Sequence, residues 1–171
     1  MICQDRHIIM DVSVNKVNGF TLIEVVIVVL AIGILAIYPL IKWPGTIINL
    51  DAEAERIVSD IRYAQSLSMT RGVRYQFIRT SSNTYQIRSS AGTPVLLGEG
   101  STTATLNSGI TFGTFINLPS NLVAFDSTGT PYTDNTSPGT ALSTSASIPI
   151  TADGKTKTIV ITPETGSISI Q

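Results

Sequence analysis

The sequence predicts an α+β chain: a long apolar N-terminal helix, an amphipathic helix behind it, and a C-terminal antiparallel β domain. Three observations carry this. Residues 25–41 form a 17-residue run without a charge. Leu50, Ala54, Ile57, Ile61, Ala64 and Leu67 then recur at spacings of four and three, a single apolar stripe on a helix. Beyond Val73 the chain becomes a series of short, roughly alternating apolar segments punctuated by Gly, Pro and Asn.

The first element runs from Phe20 to Ile41, 22 residues, or roughly 33 Å of helix. A bilayer's hydrocarbon core is about 30 Å thick, so the segment is long enough to span it. The run is too long for the apolar region of a secretory signal peptide, about 7–15 residues, and it meets Tyr38-Pro39 instead of a small-residue cleavage site. Glu24 stands near its start. A charge at the centre of such a helix costs about 2.5–3.5 kcal/mol and less near an end, and one that is present usually has a partner and a function. Pro39 removes a backbone hydrogen bond and can kink the helix, with Gly33 six residues earlier. Lys42-Trp43-Pro44-Gly45 marks the outer interface: Trp43 suits an aromatic belt, and Pro44-Gly45 breaks or bends the helix.

Gly19-Phe20-Thr21-Leu22-Ile23-Glu24, at the mouth of this run, resembles the processing site of type IV prepilins and of the pseudopilins of type II secretion. The resemblance implies that a prepilin peptidase cuts between Gly19 and Phe20, that Phe20 is N-methylated, and that Glu24 serves assembly. It divides the chain into a leader (1–19), a transmembrane and filament-core helix (20–41) and an extracytoplasmic globular domain (42–171). Cleavage would free an α-amino group on Phe20, and a carboxylate four residues on can offset the cost of burying that cation. In the family the amine belongs to a neighbouring subunit. The alternatives are a plain signal anchor, and a Glu24 that simply snorkels to the headgroups. In pilin-like filaments the stretch between residues such as Gly33 and Pro39 can melt locally. Translation from Met10 instead of Met1 would leave a ten-residue leader carrying Lys16.

Composition fits a small anchored domain. Of 171 residues, 152 follow Gly19, and about 130 remain beyond the anchor, enough for one modest core. Eleven basic against twelve acidic residues give a charge of −1, so no basic field for nucleic acid is present. The only Cys (Cys3) and the only His (His7) lie in the leader. The mature chain therefore lacks a Cys/His metal site, a Ser-His-Asp triad and an imidazole base, and no disulfide can form. The sequence predicts a non-enzymatic chain with no cofactor and no metal. Many major pilins staple a C-terminal loop with a disulfide, and the departure here points toward a minor subunit.

The second helix is expected over 49–70, with Asn49 or Asp51 as cap, Glu53 and Glu55 in the first turn, and Gly72 as C-cap. Arg56, Asp60 and Arg62 lie off the apolar stripe, which is expected to pack on a sheet. Strands are expected at 73–78 and 84–88, joined by Ser81-Ser82-Asn83, and at 94–97, 102–106, 110–112, 122–125, 147–150, 157–162 and 167–170. Thr128 to Ser147, rich in Ser and Thr, reads as a long exposed loop.

Arg56-Ile57, Ala64-Gln65-Ser66-Leu67-Ser68-Met69, Gly72-Val73, Phe125-Asp126-Ser127-Thr128-Gly129-Thr130-Pro131 and the final Ile159–Ile168 hairpin narrow the resemblance to the GspH/FimT-type minor pseudopilins. This implies two packed sheets. It implies a structural subunit in the complex that primes or caps a type IV pilus or type II secretion pseudopilus. Its partners would be the prepilin peptidase, other major and minor pilins, the membrane, and an inner-membrane platform driven by a cytoplasmic ATPase. The chain would sit in the bacterial inner membrane with its head outside, and later in the filament. The alternative is a pilus-associated adhesion or DNA-binding subunit using the 128–147 loop. Against DNA, Pro163 to Gln171 contains no Lys or Arg, though Arg71, Arg74, Arg79 and Arg88 could form a basic strip. Gly154-Lys155-Thr156 lacks the upstream glycine of a phosphate-binding loop and reads as a hairpin turn. Asp126, Asp134 and Asp153 read as turn residues more readily than as calcium ligands, and the sequon Asn135-Thr136-Ser137 as coincidence in a Ser/Thr-rich loop.

Overall fold

The structure, a computed structural model, describes residues 19–41, 45–98 and 100–171. The expectations for Cys3, His7, Met10, Lys16 and Lys42-Trp43-Pro44 lie outside these residues. The chain divides between residues 43 and 44 into two compact units.

The first unit contains helix α1 (Leu22–Ile41). Among the described residues no helix is long and apolar enough to cross a membrane; the side chains described in α1 run only from Leu22 to Ile34.

The second unit begins with α2 (Gly45–Arg71). The helix starts four residues earlier than the sequence suggested, so neither Asn49 nor Asp51 is its cap. Both sit within a helix already under way, because 45–48 carry the helical hydrogen bonding upstream of them. At the other end Gly72, with φ 67°, takes the left-handed position and its N–H donates to Ser68 O at 3.0 Å, the expected C-cap.

Among the described residues nine strands follow, in two antiparallel sheets. The first has the order β3-β2-β1-β5-β6, built from β1 (Tyr75–Arg79), β2 (Thr84–Ser89), β3 (Ala104–Thr105), β5 (Leu122–Phe125) and β6 (Pro131–Tyr132). The second has the order β4-β7-β8-β9, from β4 (Thr111–Phe112), β7 (Ala146–Ala152), β8 (Lys155–Ile161) and β9 (Ile168–Ile170). The segment 94–97 is not a strand; it holds one bridge, Arg88 to Pro94, and buries Leu97. β6 lies inside the stretch expected to be loop.

α2 packs across both sheets, and its stripe does the packing. Leu50, Ala54, Ile57, Ile61 and Ala64 are buried, joined by Val58, while Leu67 is half-buried. β7 alternates strictly, with Ala146, Ile148, Ile150 and Ala152 inward. Phe112 of β4 meets Phe77 and Tyr85 of the other sheet edge-on, at 6.3 and 6.0 Å between centroids, so an aromatic cluster joins the sheets. Each fully buried Ile or Phe of this core contributes about 1.5–3 kcal/mol. Asp153 and Gly154, at φ 47° and 73°, form the two-residue turn between β7 and β8, so Gly154-Lys155-Thr156 is a hairpin end as expected.

Candidate functional site

α1 starts with a defined cap. Gly19 and Phe20 precede the helix, and Phe20 is 82 % exposed. The Glu24 N–H donates to Thr21 O at 3.1 Å and to Thr21 Oγ1 at 3.3 Å. Thr21 is thus the N-cap, and Thr21-Leu22-Ile23-Glu24 has the spacing of a capping box. Glu24 falls in the first turn, where a carboxylate is favoured by the helix dipole. That local role was legible in the spacing, but the apolar run draws attention to the cost of the charge instead. Through Ile34 the large apolar side chains are exposed on every side of α1. A groove of about 200 Å³ lined by Phe20, Glu24, Val25, Val28 and Val29 puts Glu24 on one face with Phe20 and Val28. A helix that is apolar all round belongs in a bilayer or among other helices. Gly33 and Pro39 both fall within α1.

In the head, the polar flank of α2 holds the β domain at several points. Glu53, expected in the first turn, lies further along the helix and is buried: it pairs with Arg56 at 2.8 Å and accepts the Asn107 N–H at 3.3 Å. Arg56 donates to Thr105 O at 2.6 Å. The Tyr85 hydroxyl donates to Asp60 Oδ2 at 2.5 Å; burial, and then that carboxylate, push the phenol pKa up, so it remains a donor. Gln65 Nε2 donates to Gly129 O at 3.0 Å, Thr165 O at 3.3 Å and Gly166 O at 3.4 Å. One side chain therefore ties the β5–β6 turn and the β8–β9 turn to the helix. Ser68 Oγ donates to Ala64 O and accepts the Tyr75 N–H, both at 3.0 Å, anchoring the reversal after Gly72.

The 128–147 segment is not a free loop. Leu142 is buried, its N–H donates to Pro131 O at 2.8 Å, and the Arg74 guanidinium stacks on Tyr132 at 3.9 Å while donating to the Thr136 and Pro138 carbonyls. Asn135 Nδ2 donates to Ser90 O at 3.4 Å, which holds the sequon's amide against the β2 end. Each of the four arginines is engaged within the head. Arg71 stacks on Tyr75, Arg74 on Tyr132 and Arg79 on Phe115, and Arg88 donates to Gln86 Oε1 at 2.7 Å.

The aspartates are turn residues. Asp126 accepts the Thr128 and Thr130 N–H groups at 2.9 and 3.0 Å. Burial raises its pKa, but hydrogen bonds from Thr128, Thr130 and Tyr132 outweigh this and leave it below the ordinary carboxylate value. Asp134 accepts the Thr136 hydroxyl and N–H at 2.8 and 3.0 Å and the Thr140 N–H at 2.9 Å, and these bonds hold its pKa at about 2. Because that value is depressed, the stabilisation is present above the ordinary value of 3.8 and is lost as pH falls toward 2. Asp134→Asn is therefore expected to destabilise the loop at neutral pH. The difference from wild type should shrink as denaturation is repeated down to about pH 2; a pH-independent difference would contradict this assignment. Among the described residues no group of three or more His, Cys, Asp or Glu is placed to hold a metal ion.

Comparison with known proteins bears on both units. Residues 14–37 match the prokaryotic N-terminal methylation motif. The head resembles the type IV minor pilin FimU of Pseudomonas aeruginosa, at 17 % identity and a TM-score of 0.51, over 71 % of this chain and 87 % of that one. It also resembles the minor pseudopilin EpsH from the type 2 secretion system of Vibrio cholerae, at 12 % identity and a TM-score of 0.53, over 72 % and 96 %. At such identities these likenesses show the fold, α+β with two antiparallel sheets. No curated protein matches the chain. Residues 53–166, more than half of the chain, match the family of type II transport protein GspH; with the N-terminal methylation motif ahead of that domain, the chain belongs to this family.

Proposed function

We propose that the chain is made as a precursor, cut between Gly19 and Phe20 by a prepilin peptidase, methylated on Phe20, and added to a filament as a minor subunit of its initiating or tip complex. Before assembly, residues 20–41 span the inner membrane and hold the head outside. In the filament the same helix packs among those of other pilins or pseudopilins, with Glu24 meeting a neighbour's terminal amine. Gly33 and Pro39 supply the points at which the helix can bend. The platform that inserts it would be driven by a cytoplasmic ATPase. The observation that carries this reading is the apolar surface of α1, exposed on every side and bearing one acid in its first turn. Nothing in such a helix serves a free-standing soluble domain. The role is structural, not enzymatic.

The DNA-binding alternative has less support, because Arg71, Arg74, Arg79 and Arg88 are each engaged within the head by a ring, a carbonyl or an amide.

The test is to shear filaments from cells and measure this chain by quantitative mass spectrometry against the dominant co-purifying pilin. A trace amount starting at Phe20 is the expected result; near-equal abundance would make it a main fibre subunit instead. In the same assay Gly19→Val should leave the leader attached. Glu24→Ala should be cut normally yet fall by about tenfold or more in the sheared fraction, as loss of a buried charge pair of several kcal/mol requires. Normal incorporation of Glu24→Ala would remove Glu24 from assembly.

A further inference from the structure

Among the described residues, one cleft of the head is lined by donors and by no acid. It has a volume of about 350 Å³ and is lined by Arg79, Thr80, Ser81, Ser82, Phe112 and Asn121. Arg79 is half-buried at the end of β1. Its Nη1 donates to Gly113 O at 2.8 Å and its guanidinium lies 4.9 Å from the Phe115 ring centroid, so the group is fixed in place. Its contacts among the described residues are a carbonyl and a ring, with no carboxylate. A guanidinium carries five donors, and one carbonyl uses one of them. Asn121 adds a side-chain amide; its backbone takes a left-handed position (φ 54°), and its backbone carbonyl accepts the Arg79 backbone N–H at 3.0 Å. Ser82 adds an exposed hydroxyl at the hairpin tip. A half-buried guanidinium without an acid, beside an amide and a hydroxyl, is the donor set that recognises an oxyanion.

The cleft has a definite place in the head. The Asn83 carbonyl beside it accepts the Leu106 N–H at 2.8 Å, and the next residue, Asn107, donates to Glu53 near the start of α2. The cleft is therefore at the end of the second unit that holds the early turns of α2.

We propose that this cleft binds a phosphate-class oxyanion. Its source is either a free phosphate or the phosphate of an anionic phospholipid headgroup beneath the head; the second source rests on the reading that residues 20–41 span the bilayer.

The experiment uses the full chain, cleaved or not, with backbone amide signals of Ser82 and Asn121 followed by NMR. In detergent, titration with inorganic phosphate should shift both signals saturably, while chloride at matched ionic strength should not. Arg79→Gln should weaken the response by about tenfold or more, the scale of one charge-assisted hydrogen bond. Ser82→Asp, at an exposed tip, should abolish it by placing a carboxylate in the cleft without touching the core. In nanodiscs of phosphatidylglycerol, the same shift without added phosphate would identify the lipid as the source. A shift only with added phosphate would identify the free ion. No saturable shift in either setting, or a shift that survives both variants, overturns the proposal. N-terminal sequencing of the chain recovered from cells reports separately on cleavage after Gly19, so failure of the cleft and failure of the pilin reading are distinguishable.

Discussion

Gly166→Ala is expected to destabilise the head by about 3 kcal/mol or more. Gly166 sits at φ 62°, and a left-handed backbone costs an L-residue roughly 1–2 kcal/mol. The second part of the cost is crowding. A Cβ at this position would lie 2.6 Å from Gln65 Nε2, 2.6 Å from Gly129 O and 3.2 Å from the Phe125 ring. The Gln65 amide can swing away, but the Gly129 carbonyl is backbone at the β5–β6 turn and cannot yield without moving a buried strand. Gly154→Ala is the control: φ is 73° and nothing lies within 4 Å, so only the backbone penalty of about 1–2 kcal/mol applies. Urea denaturation of the detergent-solubilised chain, followed by tyrosine near-UV dichroism, measures both. Gln65→Ala should cost less in the Gly166→Ala background than alone, since the added Cβ already displaces the amide from the two turns. Equal costs for Gly154→Ala and Gly166→Ala would mean that the two turns do not meet over Gln65.

Phe77→Ala is expected to cost about 3–5 kcal/mol, the range for a buried aromatic truncated in a core. Phe77 is fully buried, with its ring 4.8 Å from that of Tyr85 and 6.3 Å from that of Phe112. Phe112 belongs to the other sheet, so the cavity would open where the two sheets are joined. Domains of this kind are stable by about 5–15 kcal/mol in total, so the variant should melt about 10 °C or more below wild type. Phe77→Leu keeps most of the volume and should lose about 1.5 kcal/mol or less. A loss under about 1 kcal/mol for Phe77→Ala would show that the aromatic cluster does not carry the packing between the sheets.

The sequence alone determined the elements whose signal is periodic. The stripe from Leu50 to Ala64 is buried as expected, β5 occupies 122–125, and the β1–β2 hairpin turns at 81–83. The N-terminal methylation motif was likewise legible, because it is short and contiguous and stands at the edge of an uncharged run. Tertiary structure decided the rest. The burial of Glu53 and the pinning of 128–147 by Leu142 and Arg74 depend on partners distant in sequence. Segment 94–97, expected as a strand, finds only a single bridge, whereas Pro131-Tyr132 pairs with β5 despite its loop-like surroundings. Gly129 and Gly166 read as ordinary turn glycines; only their meeting over Gln65 makes a Cβ costly there. The physical reason is range. Side-chain periodicity records which face of an element is apolar, and that is written residue by residue. Which polar groups a folded surface brings together is set by sheet order and register, so buried Glu53 and the acid-free cleft at Arg79 emerge only when strands remote in the chain are side by side.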